Sequence, residues 1–298
     1  MKKYYSLSRE FFFARRLLFE LNCDKIITSK YDRRERRNIM GYKTMDANEA
    51  VSRVSYKFTE IAGIYPITPA SPMAEKVDVL ASKGEINFWG NKVKVIEMES
   101  EKGAIATVHG ALQAGVLATT YTASQGLLLM IPSIYKMAGE MLPGVIHVAA
   151  RSLSTHSLSI FGDHQDIYAV RQTGACMLSS SSVKEAYHMA MVSHLASIKS
   201  SLPFINFFDG FRTSHEIDKV KEIDLSKLET LIDKKALRKF RDNGMISGAT
   251  TRGTAENEDV YFQHTESRNG YYIKAIDNVI YYMDKINKIC KTDYKPFN

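Results

Sequence analysis

The chain has 298 residues, of which 45% are hydrophobic and 24% are charged, a composition typical of an ordinary globular protein with one large or two modest domains. Its net charge of +7 arises from residues 1–43, which contain twelve Lys or Arg and five Asp or Glu, whereas the remainder contains 28 of each kind. The body of the chain therefore lacks the electrostatic signature of a nucleic-acid-binding protein.

Cysteine use and hydrophobicity exclude further classes. Cys23, Cys176 and Cys290 lie far apart and form no CxxC or CxxxC motif, so this chain alone builds neither a structural zinc site nor an iron–sulfur cluster. An odd, sparse cysteine count also argues against a disulfide framework and predicts a reducing, cytoplasmic location. No apolar run approaches the about 20 residues of a membrane-spanning helix, so we expect no membrane association.

Residues 1–43 differ in composition from the rest of the chain, and we expect them to form a basic, poorly ordered extension. The run from Phe11 to Phe19 is compatible with a short basic amphipathic helix. The Arg content suits an organelle presequence, but the five acidic residues argue against one. A non-functional extension ahead of an internal start at Met40 or Met45 is the interpretation that we favour.

From Met45 onward, helical and strand patterns alternate. Asp46 is placed to cap a first helix whose apolar face is Ala50, Val51, Val54, Phe58 and Ile61. Strand–helix units at intervals of roughly 25 to 30 residues predict crossover connections, and hence a doubly wound α/β fold over residues 44–221 with a parallel sheet covered on both faces. The predicted strands are 63–67, 93–98, 117–122, 145–150, 175–178 and 204–208, and the predicted helices between them are 72–83, 101–115, 126–141, 164–172 and 183–200.

Residues 222–298 are predicted to be a helical, loop-rich C-terminal segment of the same domain. A solvated helix is expected over 225–241 and a loop over 248–253. A final helix is expected over 270–291, with an apolar stripe formed by Ile273, Ile276, Val279, Ile280 and Met283.

Glu101 lies at a strand-to-helix corner, directly after the N-cap candidate Ser100. Ligands bind at the carboxyl ends of parallel strands, which is where this corner falls. An acidic residue in a first helical turn is explained equally well by the helix dipole, so position alone leaves both interpretations open. Other polar residues that come after predicted strands are Thr68, Ser71, Ser124, Gln125, Arg151, Ser152, Asp209, Arg212 and Thr213.

The helix 101–115 is rich in Gly and Ala along one side. Such a surface allows close approach of another backbone or of a flat cofactor ring, and tight packing on the sheet explains it as well. Five dispersed histidines form no HxxxH or HExxH pair, and most are interpreted as structural: His109, His147, His156, His188 and His194. The sequence has no phosphate-binding GxxxxGK[ST] loop, GxGxxG or GxSxG.

Five segments then match one family: 65–72 (YPITPASP), 97–101 (EMESE), 122–132 (TASQGLLLMIP), 159–164 (SIFGDH) and 207–216 (FFDGFRTSHE). With further matches at 253–257 and 259–263, the chain from about Met45 to its end resembles the N-terminal, pyrimidine-binding domain of pyruvate:ferredoxin (flavodoxin) oxidoreductase.

This resemblance implies chemistry on thiamine diphosphate. In this family the Glu that matches Glu101 hydrogen-bonds the cofactor's aminopyrimidine nitrogen, and that bond drives the tautomer that takes the proton from the cofactor's reactive carbon. The corner position of Glu101 agrees with this role, because a desolvated carboxylate is tuned for proton sharing. Thr68 and Arg151 match positions that hold the pyruvate carboxylate, a task for which the planar guanidinium fork is suited.

Two positions depart from the family pattern. Lys102 stands where a small Ala is usual, and Ala47 replaces a usual Gly. An ammonium beside Glu101 would lower the pKa of that carboxyl. Successive helical residues do not share a face, so we expect Lys102 to point outward.

The resemblance also implies partners, because family enzymes are much longer. Magnesium and the cofactor's diphosphate, coenzyme A and the iron–sulfur clusters belong to other domains or subunits, and this chain has no Gly-Asp-Gly followed by Asn-Asn. We therefore expect a truncated or split part of a dimeric enzyme that oxidises pyruvate to acetyl-CoA and carbon dioxide, inactive alone. The alternatives are a non-catalytic interaction or remnant domain, and part of an oxidoreductase for another 2-oxoacid.

Overall fold

A computed structural model describes residues 41–248 and 250–296. Six parallel strands form one sheet in the spatial order β3-β2-β4-β5-β7-β6, which confirms the doubly wound α/β fold. The strands are β2 (Ile61–Ile64), β3 (Lys94–Glu97), β4 (Ala118–Thr122), β5 (Val145–Ala150), β6 (Cys176–Ser180) and β7 (Phe204–Asp209). Strand order reverses between β2 and β4, so the switch point of the sheet lies there.

A separate two-stranded ribbon pairs β1 (Tyr42–Met45) with β8 (Asp218–Lys221) in antiparallel fashion. Tyr42 and Lys43 thus belong to a strand, although the sequence pattern assigned them to the basic extension. The rest of that extension, residues 1–40, lies outside the described residues.

Helices cover both faces of the sheet. One layer contains α1 (Ala47–Phe58), α2 (Ser71–Ser82), α7 (Val183–Ser200) and α11 (Asn269–Cys290), and the other contains α3 (Glu101–Gln113), α4 (Ser124–Leu129), α5 (Ile131–Gly139) and α6 (Gln165–Val170). Side-chain alternation along β4 separates the layers: the Tyr121 hydroxyl lies 2.8 Å from Ser55 Oγ of α1, whereas Thr122 lies beside α4. A 3-10 turn (Arg171–Thr173) and the helices α8 (Ser226–Glu229), α9 (Lys234–Asp242) and α10 (Glu258–Ser267) complete the described chain.

Helix α7 lies at the centre of its layer, between α1 and α11. Nearly all of its side chains are buried, including Tyr187, Met191 and Leu195. Full burial of one such apolar side chain contributes about 1.5–3 kcal/mol. The helix therefore shows little amphipathic pattern, because nearly its whole circumference is buried and no side needs to be polar.

The structure corrects several predicted elements; Ile61, expected on the apolar face of the first helix, begins β2 instead. The single helix expected over 126–141 is two, α4 and α5, which meet at Met130; Pro132 in the first turn of α5 lacks the N–H that a continuous helix requires. The helix expected over 225–241 is likewise two, α8 and α9, and the Asp233 side chain caps the second.

The predicted apolar stripe of α11 is also wrong in part. Ile273 and Ile276 are 71% and 56% exposed, whereas the packed residues are Ala275, Tyr282, Met283, Ile286 and Cys290. Of the predicted stripe, Met283 is packed as expected, while the two isoleucines face outward. Within the described residues, no helix combines the length and hydrophobicity needed to cross a membrane.

Candidate functional site

The Glu101 side chain lies at the carboxyl edge of the sheet, as the sequence predicted. Ser100 Oγ accepts the Gly103 N–H at 3.2 Å and so begins α3, which places Glu101 in the first turn. The Glu101 side chain points into the molecule, since the residue is only 8% exposed. Lys102 is exposed, so the two neighbouring side chains lie on different faces.

Gly126 and Thr122 lie next to the Glu101 carboxylate. A Cβ added at Gly126 would lie 2.8 Å from Glu101 Oε1 and 2.6 Å from Thr122 Oγ1, so only a residue without a side chain allows this approach. Within residues 41–248 and 250–296, the Glu101 carboxylate accepts no hydrogen bond, and Thr122 Oγ1 is buried without a partner. The carboxylate keeps a small exposed area, so Glu101 is the member of this pair that an external hydrogen-bond donor can reach.

Arg151 and Thr68 lie together, as the sequence also predicted. Arg151 directly follows β5, is 7% exposed, and donates from Nη1 to the Thr68 backbone oxygen at 2.6 Å. Its Nε is buried without a partner in the described chain, so the guanidinium has a donor to spare. Burial lowers the pKa of Arg151, and the negative charges of Asp166 and Glu101 partly offset that effect.

Asp166, a fully buried carboxylate of α6, lies among these residues and was not predicted from the sequence. Its Oδ2 accepts the Ser124 N–H at 2.7 Å and the Arg151 N–H at 3.0 Å, and its Oδ1 accepts the Ile167 N–H at 2.8 Å. Burial raises the pKa of Asp166, while the three N–H donors favour the charged form. From sequence alone Asp166 resembles an ordinary acidic residue in a first helical turn. Its partner Ser124 is 42 residues away, so no local pattern indicates the contact.

Four of the other polar residues predicted after strands contribute to contacts at this edge: Ser124, Gln125, Ser152 and Asp209. Ser124 Oγ donates to the Ser152 backbone oxygen at 2.7 Å, and Gln125 Nε2 to the Ser154 oxygen at 2.9 Å. Asp209, at the end of β7, lies 2.8 Å from the His164 Nε2 atom. The segments after β4, β5 and β7 are thereby tied to one another.

The small residues of α3 serve packing in part. A Cβ at Gly63 of β2 would lie 2.5 Å from the Ala104 oxygen of α3, so this helix approaches the sheet closely. Gly103 packs on Met98, with 3.2 Å between an added Cβ and the Met98 Cβ. Gly110, by contrast, faces open space.

His147, His188 and His194 lie in the core rather than at this site. His147 Nε2 lies 3.1 Å from His194 Nε2, and His188 Nδ1 lies 3.1 Å from the Tyr294 hydroxyl. Burial lowers the pKa of His147 to about 3 and of His188 to about 4. These histidines are therefore neutral core groups at neutral pH.

Two cavities lie away from Glu101. One of about 880 Å³ lies between α5, the 3-10 turn and α10, and one of about 270 Å³ lies beside β2 and β3. Thr68, Glu101 and Arg151 line neither of them. Among residues 41–248 and 250–296, no cluster of three or more His, Cys, Asp or Glu is arranged to hold a metal ion.

Comparison with known proteins places these residues in a family. Residues 53–284 match the model for the pyruvate flavodoxin/ferredoxin oxidoreductase family, thiamine diphosphate-binding. The chain is 55% identical over 257 residues to a pyruvate-flavodoxin oxidoreductase of Klebsiella pneumoniae and 51% identical over 260 residues to a pyruvate:ferredoxin oxidoreductase of Moorella thermoacetica. These matches cover 86% and 87% of this chain but 22% of each relative, so the chain spans about a fifth of their length.

A solved structure shares the fold. A 2-oxoglutarate:ferredoxin oxidoreductase from Magnetococcus marinus superposes with a TM-score of 0.55 at 22% identity, covering 63% of this chain and 32% of that one. The sequence match extends over most of the sheet, both helix layers and the edge that carries Thr68, Glu101 and Arg151. The chain belongs to the thiamine diphosphate-binding family of pyruvate flavodoxin/ferredoxin oxidoreductases and corresponds to their N-terminal, pyrimidine-binding domain.

Proposed function

We propose that this chain is the pyrimidine-binding part of a pyruvate:ferredoxin or flavodoxin oxidoreductase, which oxidises pyruvate to acetyl-CoA and carbon dioxide. The observation that carries the proposal is the buried Glu101 carboxylate, which has no hydrogen-bond partner in the described chain and lies at the sheet edge of a thiamine diphosphate-binding family member. Helix-dipole stabilisation alone would be served equally well by an exposed carboxylate.

Glu101 would hold the pyrimidine ring of thiamine diphosphate. The residues present fit this group: the Glu101 carboxylate has no hydrogen-bond partner in the described chain, and Gly126 leaves a surface without a side chain beside it. A carboxylate forms strong, charge-assisted hydrogen bonds with N–H donors. Thiamine diphosphate, when bound, supplies the nucleophilic carbon and the electron sink for decarboxylation of a 2-oxoacid.

Arg151 and Thr68 would hold the carboxylate of pyruvate. The contact between Arg151 Nη1 and the Thr68 oxygen fixes the guanidinium at the sheet edge, and its Nη2 makes no hydrogen bond within the described chain. Binding an anion there would regain the interaction that desolvation of the guanidinium removes.

Other domains or subunits would supply the rest of the enzyme. The relatives are about five times longer than the matched region, since that region is 22% of their length. We propose that magnesium, the cofactor's diphosphate and the iron–sulfur clusters are bound there, that the assembled enzyme is a dimer and that it is cytoplasmic. Exposed apolar side chains beside the site, namely Leu158, Ile160 and Phe161, favour a covering domain at this edge.

A viologen assay tests the proposal. The isolated chain, given thiamine diphosphate, magnesium, coenzyme A and pyruvate, should reduce no dye. The complex co-purified from the native host through a tag on this chain should reduce the dye with pyruvate, and replacing pyruvate by 2-oxoglutarate reports on substrate choice. Turnover by the chain alone would contradict the incomplete-site assignment, and no turnover in any complex would favour a non-catalytic remnant.

A further inference from the structure

A single carboxylate oxygen connects two functional segments of the site. Asp166 Oδ2 accepts both the Ser124 N–H, at the start of α4, and the Arg151 N–H, directly after β5. The residue is fully buried, so solvent does not weaken these bonds. Charge-assisted hydrogen bonds of this kind are among the stronger ones in proteins.

The bond to Arg151 positions the guanidinium. Arg151 has its backbone N–H on Asp166 and its Nη1 on the Thr68 oxygen, so the residue is held at both ends. The negative charge of Asp166 also favours the charged form of the buried guanidinium. A loss of the carboxylate would therefore alter both the place and the electrostatic surroundings of the Arg151 side chain.

The bond to Ser124 positions the surface against Glu101. Ser124 has φ of 50°, a left-handed conformation that is unfavourable for a residue other than Gly. The bond from its N–H to Asp166, together with the bond from its Oγ to the Ser152 oxygen, holds this conformation. Two residues later the chain brings Gly126 against the Glu101 carboxylate.

We propose that Asp166 is a positioning residue that sets the relative placement of Glu101 and Arg151. Its structural part stands on the hydrogen bonds alone, and its functional part rests on the proposed roles of Glu101 and Arg151. Asp166 makes no hydrogen bond to either side chain. It holds the backbone of Ser124, which leads to the Gly126 that adjoins Glu101, and the backbone of Arg151 itself.

Asp166→Asn tests this role. The amide keeps the volume but offers one acceptor oxygen, so an N–H of Ser124, Arg151 or Ile167 must face the amide's own NH₂ group. We expect amide exchange at Ser124 and Arg151, measured by NMR, to accelerate about tenfold or more, as for loss of a strong hydrogen bond. The Glu101 ¹³Cδ and Arg151 ¹⁵Nε signals should shift with it.

Asp163→Asn is the matched control, because Asp163 is exposed, lies three residues earlier and accepts one N–H, from Gln165 at 3.1 Å. It should leave all four signals unchanged. A purely structural role for Asp166 would lower the unfolding temperature while the Glu101 and Arg151 signals stayed at their wild-type positions. That result, or unchanged exchange at both amides, would overturn the proposal.

The wild-type chain offers a test that needs no folded variant. Scalar couplings across hydrogen bonds should link the Ser124 and Arg151 amide nitrogens to the Asp166 carboxyl carbon, and their absence would overturn the proposal. The co-purified complex separates the two hypotheses. If Arg151→Lys leaves the KM for pyruvate in viologen reduction unchanged while Asp166→Asn behaves as expected in the isolated chain, the substrate role of Arg151 fails and the positioning role of Asp166 stands.

Discussion

Gly126 is the residue that most tightly constrains the surroundings of Glu101. Gly126→Ala would place a Cβ 2.8 Å from Glu101 Oε1 and 2.6 Å from Thr122 Oγ1, so both side chains must move. We expect the free energy of unfolding to fall by about 1–3 kcal/mol, as for other overpacked sites. Urea denaturation followed by fluorescence of the single tryptophan, Trp89, measures it.

Gly110→Ala is the matched control within the same region. Gly110 lies in the interior of α3, and an added Cβ there meets nothing within 4 Å. Alanine should therefore raise the free energy of unfolding by about 0.5–1 kcal/mol through its better helix propensity. Equal destabilisation by both substitutions would contradict the close approach at Gly126.

At the level of elements, a buried histidine pair joins β5 to α7. In the tautomer in which His147 Nε2 donates a hydrogen bond to His194, His147 Nδ1 accepts one from Asn206 Nδ2. The His194 ring also stacks on Phe58. Burial lowers the pKa of His147 to about 3 and of His194 well below its usual value. Both are neutral in the folded chain at pH values where the unfolded chain takes up protons.

Acid should therefore destabilise the protein before its carboxylates titrate. Each histidine has a lower pKa in the folded chain than in the unfolded chain. Its contribution to the free energy of unfolding is therefore fully present above the unfolded pKa of about 6.5, and it is lost as the pH falls from there towards the folded pKa. Between pH 7 and pH 5 the loss is about 2 kcal/mol for each of the two. His194→Gln should remove the part of this stability loss that is due to His194, whereas substitution of the exposed His156 by Gln should not. The urea midpoints at pH 7 and pH 5 measure the loss for each variant.

Much of the element structure can be predicted from local sequence, while long-range pairing cannot. Apolar runs and the caps Asp46, Ser100 and Ser182 mark helices and strands, because these signals depend on neighbouring residues. Glu101 was found through its corner position and the family match, whereas Asp166 was missed because its partners lie on other elements. The buried face of α11 was predicted wrongly in part, since a helix with apolar residues on two sides gives two equivalent stripes.

At the scale of the molecule, one group of exposed apolar side chains lies on the C-terminal helices. Tyr261 and Phe262 of α10 are 62% and 66% exposed, and Ile273 and Ile276 of α11 are similarly exposed. Because the matched region is about a fifth of the length of the relatives, we propose that their other domains cover such a surface. The isolated chain should then self-associate as its concentration rises.

The double substitution Ile273→Ser and Ile276→Ser should reduce that association, as measured by sedimentation velocity. Lys274→Ser with Asp277→Ser, on exposed positions of the same helix and without change in net charge, is the control and should leave association unaltered. Equal behaviour of wild type and the isoleucine variant would show that this surface does not drive association.

The proposed role of the Glu101 carboxylate, to hold the cofactor's pyrimidine ring, can be tested with Glu101→Gln. Glutamine keeps the shape but does not share a proton in the same way, so the fold should persist, with an unfolding midpoint within about 2 °C of wild type. In the co-purified complex, pyruvate-dependent viologen reduction should fall about 100-fold or more. Activity near that of the wild-type complex would contradict the assignment of Glu101.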